Sequence, residues 1–546
     1  MSIDEFVLSC YNNIVKKLSE AEKADSDAER NHSNMKKISL LQRRRSGILM
    51  PIFSLSSPYG IGTMGKEAYD FVDFLKKAGQ SYWQILPLGP TTFGDSPYQS
   101  YSTFAGNPYF IDLDTLCKEG YLTKEECAAQ DFGDDPDDID YPKLYKGRLL
   151  LMRSALEVFQ TRIPEDFTAF CKKNAYWLED YALFMALKYE NNGASFDLWE
   201  DDVRLRKKPA LKKAAARLEK EVLLWKMQQY FFFKQWTALK KYANENGIAI
   251  IGDLPIYVAC DSADVWAFAD QFLLDEKSRP IEVAGCPPDA FTEDGQLWGN
   301  PLYRWDKMRE DGYAWWCRRM KAAATMYDVV RLDHFRGFEA YYTIPAGRKN
   351  AKRGKWKKGP GMELFETFRK KIGDIPIIAE DLGFLTPAVY EMLAASGYPG
   401  MKVAQFAFGD PTYESEYLPH TYPKNCVAYA GTHDNETIIG WLTEADEMTR
   451  KQATAYFRLN KDEGLAWGVI RSMMASAANT VIFQMQDFMG LGNEARINEP
   501  STLGTNWRWR IRGECLNDWL AEIIRKSTEI YYRIPIEKTE KSQKDC

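Results

Sequence analysis

Short apolar runs that end in polar or charged residues recur along this chain, at 48–53, 82–88, 247–256, 329–332, 374–381, 403–408, 427–434 and 480–485. Each is of strand length and has few polar interruptions, as a parallel strand covered on both faces requires. Most are followed by a helical pattern, the first at 67–78. Strand, loop and helix in that order predict an α/β protein, and eight such units predict a (β/α)8 TIM barrel with its active site at the C-terminal strand ends.

Two stretches interrupt the rhythm. Across 112–245 strand signals vanish and helical spacing takes over, with Leu218, Val222, Trp225, Phe232, Trp236 and Leu239 marking the last helix. This predicts a large helical insertion within the barrel. Residues 257–325 contain 285–291 and 295–301, both too rich in Gly and Pro for a helix and too aromatic for a linker. Their composition predicts irregular loops over the active-site face, a second insertion covering the cleft. Ahead of a barrel spanning 47–546, residues 1–46 read as an extension in which Ile3, Val7, Tyr11, Ile14 and Leu18 form a short amphipathic helix. The run Arg43-Arg44-Arg45 reads as a solvated loop, and the charged tail after Pro535 as disordered.

The most informative run is Val329-Val330-Arg331-Leu332-Asp333-His334-Phe335-Arg336-Gly337. Charged side chains are rarely buried without partners, so Arg331 and Asp333 at a strand end are either a structural ion pair or chemistry aimed into the barrel mouth. Glu380 and Asp434 stand at two further strand ends, 47 and 54 residues on, and Asp253 closes the third strand. Two of the four histidines, His334 and His433, adjoin acids of this set. A carboxylate pair of this kind suits glycosidic bond cleavage, one group ionised to attack the anomeric carbon and one protonated to serve the departing oxygen. A divalent metal site is the competing reading of the same residues, opposed by the flanking Arg331.

Composition narrows the partners. With 71 Lys plus Arg against 77 Asp plus Glu, the formal charge of -6 offers no basic surface for nucleic acid or an anionic membrane. The 16 Trp, 30 Tyr and 29 Phe fit sugar clefts, where a flat ring meets the apolar face of a pyranose. Ten scattered cysteines without a Cys-x-x-Cys pair, and no basic, apolar leader, predict reduced thiols in a cytoplasmic protein. No run is long enough to span a membrane.

From about 47 to 533 the chain resembles the 4-α-glucanotransferases, also called amylomaltases or disproportionating enzymes, of the α-amylase-like barrel superfamily. The resemblance rests on the loop 95–99, on 252–259, 295–301 and 331–337, on Ala379-Glu380-Asp381-Leu382-Gly383, on Gly431-Thr432-His433-Asp434-Asn435 and on Asn506-Trp507-Arg508-Trp509-Arg510. It implies that Asp333 is the nucleophile, Glu380 the general acid and base, and Asp434 the transition-state stabiliser. It implies that Arg331, His334 and His433 bind sugar at the cleavage point, that Tyr98 is a stacking platform, and that Asp289, Gln296 and Trp298 lie on a loop over the acceptor. Asp253 joins the substrate-binding set through its motif. The implied substrates are α-1,4-glucans such as maltooligosaccharides, starch or glycogen fragments, with glucose as an acceptor, and no cofactor or metal is implied. A retaining α-glucan hydrolase with the same acids and a non-catalytic glycan-binding barrel remain the alternatives. The pattern departs from the family at Phe93, Cys260, Glu436 and Ser501, none of them one of the three acids.

Overall fold

The computed structural model describes residues 41–92, 94–288, 293–412 and 414–535. The amphipathic pattern near the N-terminus, Phe93, Asp289 and the tail after Pro535 lie outside these residues.

Eight of the apolar runs pair in parallel: β1 (Arg45–Leu49), β2 (Tyr82–Gln84), β3 (Ala249–Leu254), β6 (Val329–Leu332), β9 (Ile377–Ala379), β10 (Gly400–Val403), β11 (Cys426–Tyr429) and β12 (Thr480–Gln484). The ladder runs β10-β11-β12-β1-β2-β3-β6-β9. Its two ends meet where Ala379 N–H donates to Pro399 O at 2.9 Å and Met401 N–H donates to the Asp381 carboxylate at 2.6 Å. A buried side chain thus supplies the bond that a longer β9 would have made from its backbone, and the sheet closes as a barrel.

Close packing between strands needs small residues at set points. A Cβ on Gly252 would lie 2.1 Å from the Tyr327 ring, and one on Gly400 would lie 2.5 Å from the Asp381 carboxylate that closes the barrel. The second contact corrects the expected strand at 403–408. The strand is Gly400–Val403, in register with Cys426–Tyr429, and Ala404–Ala407 is a 3-10 turn. Its first residue had to be glycine, which carries no apolar signal.

Helices fill the space between Asp112 and β3, the longest being Tyr141–Thr161, Phe167–Glu190 and Glu219–Glu245. The last is anchored by two glutamines. Gln229 accepts from Gly106 N–H and donates to Gly106 O, both at 2.8 Å, and Gln235 repeats the exchange with Asp112. These amides pair backbone groups that neither strand nor helix would satisfy.

The expected irregular stretch between β3 and β6 holds, besides loops and short helices, two strands of a second sheet that is completed by two strands between β6 and β9. β4 (Glu282–Cys286), β5 (Gln296–Pro301), β7 (Ala340–Pro345) and β8 (Lys355–Lys358) pair antiparallel in the order β5-β4-β7-β8. The glycines that argued against structure are what let it form, since a Cβ on Gly285 would lie 2.2 Å from Gln296 O.

The basic run near the start is also not a solvated loop throughout. Arg44 donates to Tyr531 O, Ser476 O and Met474 O at 2.8, 2.6 and 2.6 Å, and Arg45 reaches Ile534 O. Buried Arg533 donates to Met474 O and Arg45 O. Met474 and Ser476 end the helix Leu465–Ala475, whose last carbonyls need donors from outside. Among the described residues no helix is long and apolar enough to cross a membrane.

Candidate active site

The site begins with register. Parallel pairing of β3 and β6 sets Asp253 beside Arg331, and the two-residue period of a strand puts Arg331 and Asp333 on one face. Arg331 Nη1 therefore donates to Asp253 Oδ2 at 2.6 Å and to Asp333 Oδ1 at 3.2 Å. The Asp253 side chain is wholly enclosed, whereas that of Asp333 is 28% exposed at the barrel mouth.

The chain then turns sharply. His334 adopts a left-handed conformation, φ 52°, which costs a non-glycine residue roughly 1 kcal/mol or more. The turn aims its N–H at Glu380 Oε2, 2.7 Å away, while Leu382 N–H donates to Glu380 Oε1 at 3.0 Å. Both carboxyl oxygens are thereby held by backbone. Burial pushes Glu380 up to about 7, against the pull of Arg331 and these two donors. Burial also pushes Asp333 up, opposed by Arg331 and reinforced by Asp253 and Glu380.

A third cluster lies across the mouth. Asp434, beyond the end of β11, accepts from Asn498 Nδ2 at 2.6 Å and has His433 Nε2 at 3.3 Å. Tyr98 Oη lies 2.7 Å from both Asp253 Oδ2 and His433 Nε2. Its phenol keeps its proton, because burial first and then Asp253 hold it well above the ordinary range. The hydroxyl donates to Asp253, so it accepts from a neutral His433 protonated at Nε2; burial lowers that histidine. One polar chain, Asp434–His433–Tyr98–Asp253–Arg331–Asp333, thus joins two of the acids. The Tyr98 ring stacks on His433, with centroids 5.3 Å apart and planes 12° apart.

The second sheet forms the wall. In β5, Gln296 and Trp298 share a face, and Trp298 Nε1 donates to Gln296 Oε1 at 2.9 Å. The Trp298 ring meets His334 edge to face at 4.8 Å. His334 is kept neutral, lowered to about 3 by burial and by Arg336. Of the residues expected from sequence, Asp253, Arg331, Asp333, His334, Glu380, Gln296 and Trp298 form one group. Tyr98, His433 and Asp434 join it through Asp253.

Three contributors escaped sequence reasoning. Asn498 orients Asp434 from 64 positions away, and no local spacing marks it. Trp507 belongs to a recognised motif, but its place beside Tyr98 and His433, at 5.9 and 6.2 Å, follows from the fold. Arg319 sits in the helix Ala314–Met326, yet it is buried and donates to Thr103 Oγ1 and to Pro255 O, Ile256 O and Tyr257 O. It fixes the segment that follows Asp253. A run of Trp-Trp before two arginines was the available signal, since Arg319 lies 4.7 Å from the Trp316 ring centroid.

The arrangement can offer a carboxyl contacted by a guanidinium, a second carboxyl that titrates near neutrality, and a third acid held apart from both. The chain is similar to known proteins over most of its length. A family model described as 4-alpha-glucanotransferase matches residues 50–517. A 4-alpha-glucanotransferase of Clostridium butyricum is 51% identical over 486 residues, covering 89% of this chain and 100% of the relative. One from Thermus thermophilus is 46% identical, covering 86% of this chain and 95% of the relative. Among solved structures, an amylomaltase from Streptococcus agalactiae in complex with acarbose superposes with a TM-score of 0.88 at 42% identity, covering 90% of this chain and all of that one.

Proposed function

The chain belongs to the 4-α-glucanotransferase family and is an enzyme of that activity, and from this premise we propose how its side chains carry the reaction. Asp333 attacks the anomeric carbon of an α-1,4-linked donor. Arg331 favours its ionised form by direct contact, and its partial exposure lets solvent share the charge. Glu380, enclosed and titrating near 7, holds its proton and delivers it to the departing glycosidic oxygen. The glucan beyond the cleaved bond leaves with a new 4-hydroxyl, and the remainder stays bound to Asp333 as a covalent glycosyl ester.

In the second half Glu380, now ionised, takes the proton from the 4-hydroxyl of an acceptor, which attacks the same carbon and releases Asp333. Two inversions leave the α-configuration unchanged. Asp434, held by Asn498, stabilises the positive charge that develops on the sugar ring in both steps. His433 and His334, both neutral, serve as hydrogen-bonding groups for sugar hydroxyls. Trp298 and Gln296 line the approach of the acceptor, which is another α-1,4-glucan or glucose, and an apolar wall there favours a sugar over water.

The single observation that carries this assignment is the different setting of the two acids, Asp333 bonded to Arg331 and Glu380 enclosed by two backbone donors. Two carboxyls in unlike environments divide into base and acid. We place the reaction in the cytoplasm, a setting supported by the cysteines: the eight among the described residues are free thiols, and Cys117 and Cys127 lie 3.7 Å apart. The test is incubation with maltotriose alone, resolving products by length. Glucose with a ladder of longer oligosaccharides is expected, and Asp333→Asn abolishes it. Wild-type rates in that variant, or only shorter sugars from the wild type, would overturn the assignment.

A further inference from the structure

The barrel face also carries aromatic rings that the reaction as described does not use. Phe384 follows Glu380 by four positions, on the loop whose Leu382 N–H holds the Glu380 carboxyl, and its ring is 80% exposed. Trp356, in β8, is 40% exposed. Between them lies Arg336, three residues past Asp333. Its guanidinium stacks 3.8 Å from the Trp356 centroid and donates to Phe384 O. Arg336 is itself buried, so the two exposed rings are tied through a rigid, planar group rather than scattered over the surface.

Charge indicates what this ledge accepts. Lys355 and Lys357 share Glu282, and Lys358 pairs with Glu339, so each lysine of β8 has a carboxylate beside it. Flat apolar rings beside paired, hydrogen-bonding side chains match the face and rim of a pyranose. The ledge is continuous with the active-site loops, because both of its anchors are segments that also carry Asp333 and Glu380.

We propose that Phe384 and Trp356 form an outer glucan subsite at the rim of the cleft, stacking glucosyl units of an α-1,4-glucan several rings from the bond that is cleaved. The inference rests on the glucan-transfer reading above. It makes chain length a property that these rings select: long glucans reach the ledge and trisaccharides do not.

The test is the ratio of kcat/KM for maltoheptaose to that for maltotriose, in wild type, Phe384→Ala and Phe384→Trp. Phe384 is so exposed that its removal leaves the fold intact, which the thermal midpoint checks. The ratio is expected to fall about fivefold in Phe384→Ala, the scale of one lost aromatic contact, and to be retained in Phe384→Trp. Trp356→Ala is expected to lower it as well. A ratio within twofold of wild type in Phe384→Ala would overturn the subsite. Turnover of maltotriose by the wild type reports separately on the transfer reading, so failure of one is distinguishable from failure of the other.

Discussion

Replacing Arg331 by methionine removes the cation shared by Asp253 and Asp333 while keeping most of the stem volume. At the 3.2 Å separation from Asp333 and an effective dielectric of ~20, a pair of unit charges is worth roughly 5 kcal/mol. The guanidinium is shared with Asp253, and the Asp333 side chain is 28% exposed, so about half of that falls to Asp333. Losing that ~2–3 kcal/mol pushes the Asp333 carboxyl further above the usual carboxylate range. The nucleophile is then depleted, and kcat/KM at pH 7 is expected to fall about 100-fold or more. A second effect is structural: enclosed Asp253 keeps only the Tyr98 hydroxyl, and breaking a buried pair on one side costs ~3–5 kcal/mol. Adding Asp253→Asn removes the orphaned charge and is expected to return the thermal midpoint without returning the rate. Initial glucose release from maltotriose between pH 5 and 8, with thermal unfolding of both variants, separates the two effects. A folded double variant within tenfold of wild-type kcat/KM would refute the role assigned to Arg331.

Four further outcomes follow from the geometry. With Glu380 raised to about 7, kcat/KM is expected to fall tenfold per pH unit above that value; a flat profile from pH 6 to 9 would contradict it. The same shift has a stability sign: a carboxyl higher in the fold than its ~4.3 in the unfolded chain contributes stability that is present below ~4.3 and lost as pH rises through about 7. Glu380→Gln should therefore unfold at a higher temperature than wild type at pH 8 and show no such gain at pH 4, read by calorimetry. Asn498→Ala removes the 2.6 Å bond to Asp434 and is expected to lower kcat about tenfold, since a bond to a partly exposed charged group contributes ~1–2 kcal/mol, with the thermal midpoint nearly unchanged. Gln229→Leu orphans both backbone groups of Gly106 and should cost about 2–4 kcal/mol of stability, measured in urea, while the specific activity of folded enzyme persists.

Much of the barrel was legible because its signal is local. A short apolar run broken by Arg331 and closed by Asp333 announces a strand end whatever the rest of the chain does, and the period of two already sets those side chains on one face. The same holds for the runs ending at Glu380 and Asp434. What could not be read locally was which distant backbone needs which side chain. Arg44 and Arg45 form part of a charged run in sequence, yet their guanidinium groups lie on carbonyls at residues 474, 476, 531 and 534. The strands β4, β5, β7 and β8 lack a strong apolar period because Gly285 makes room for the facing β5 backbone and the lysines of β8 suit an edge, in an antiparallel sheet that forms only when separate segments of the chain meet.

The amino-acid sequence by itself determined the barrel strands, the acids at their ends and the resemblance to a transferase family, because hydrophobic periodicity and the residue types at strand ends are properties of a few neighbouring positions. The tertiary structure alone decided the start of β10 at Gly400, the bond from Met401 to Asp381 that closes the barrel, the second sheet, and the hydroxyl of Tyr98 that links Asp253 to His433. Each of these depends on groups brought together across loops whose closure is unfavourable in entropy, so they form only when the whole core is buried at once.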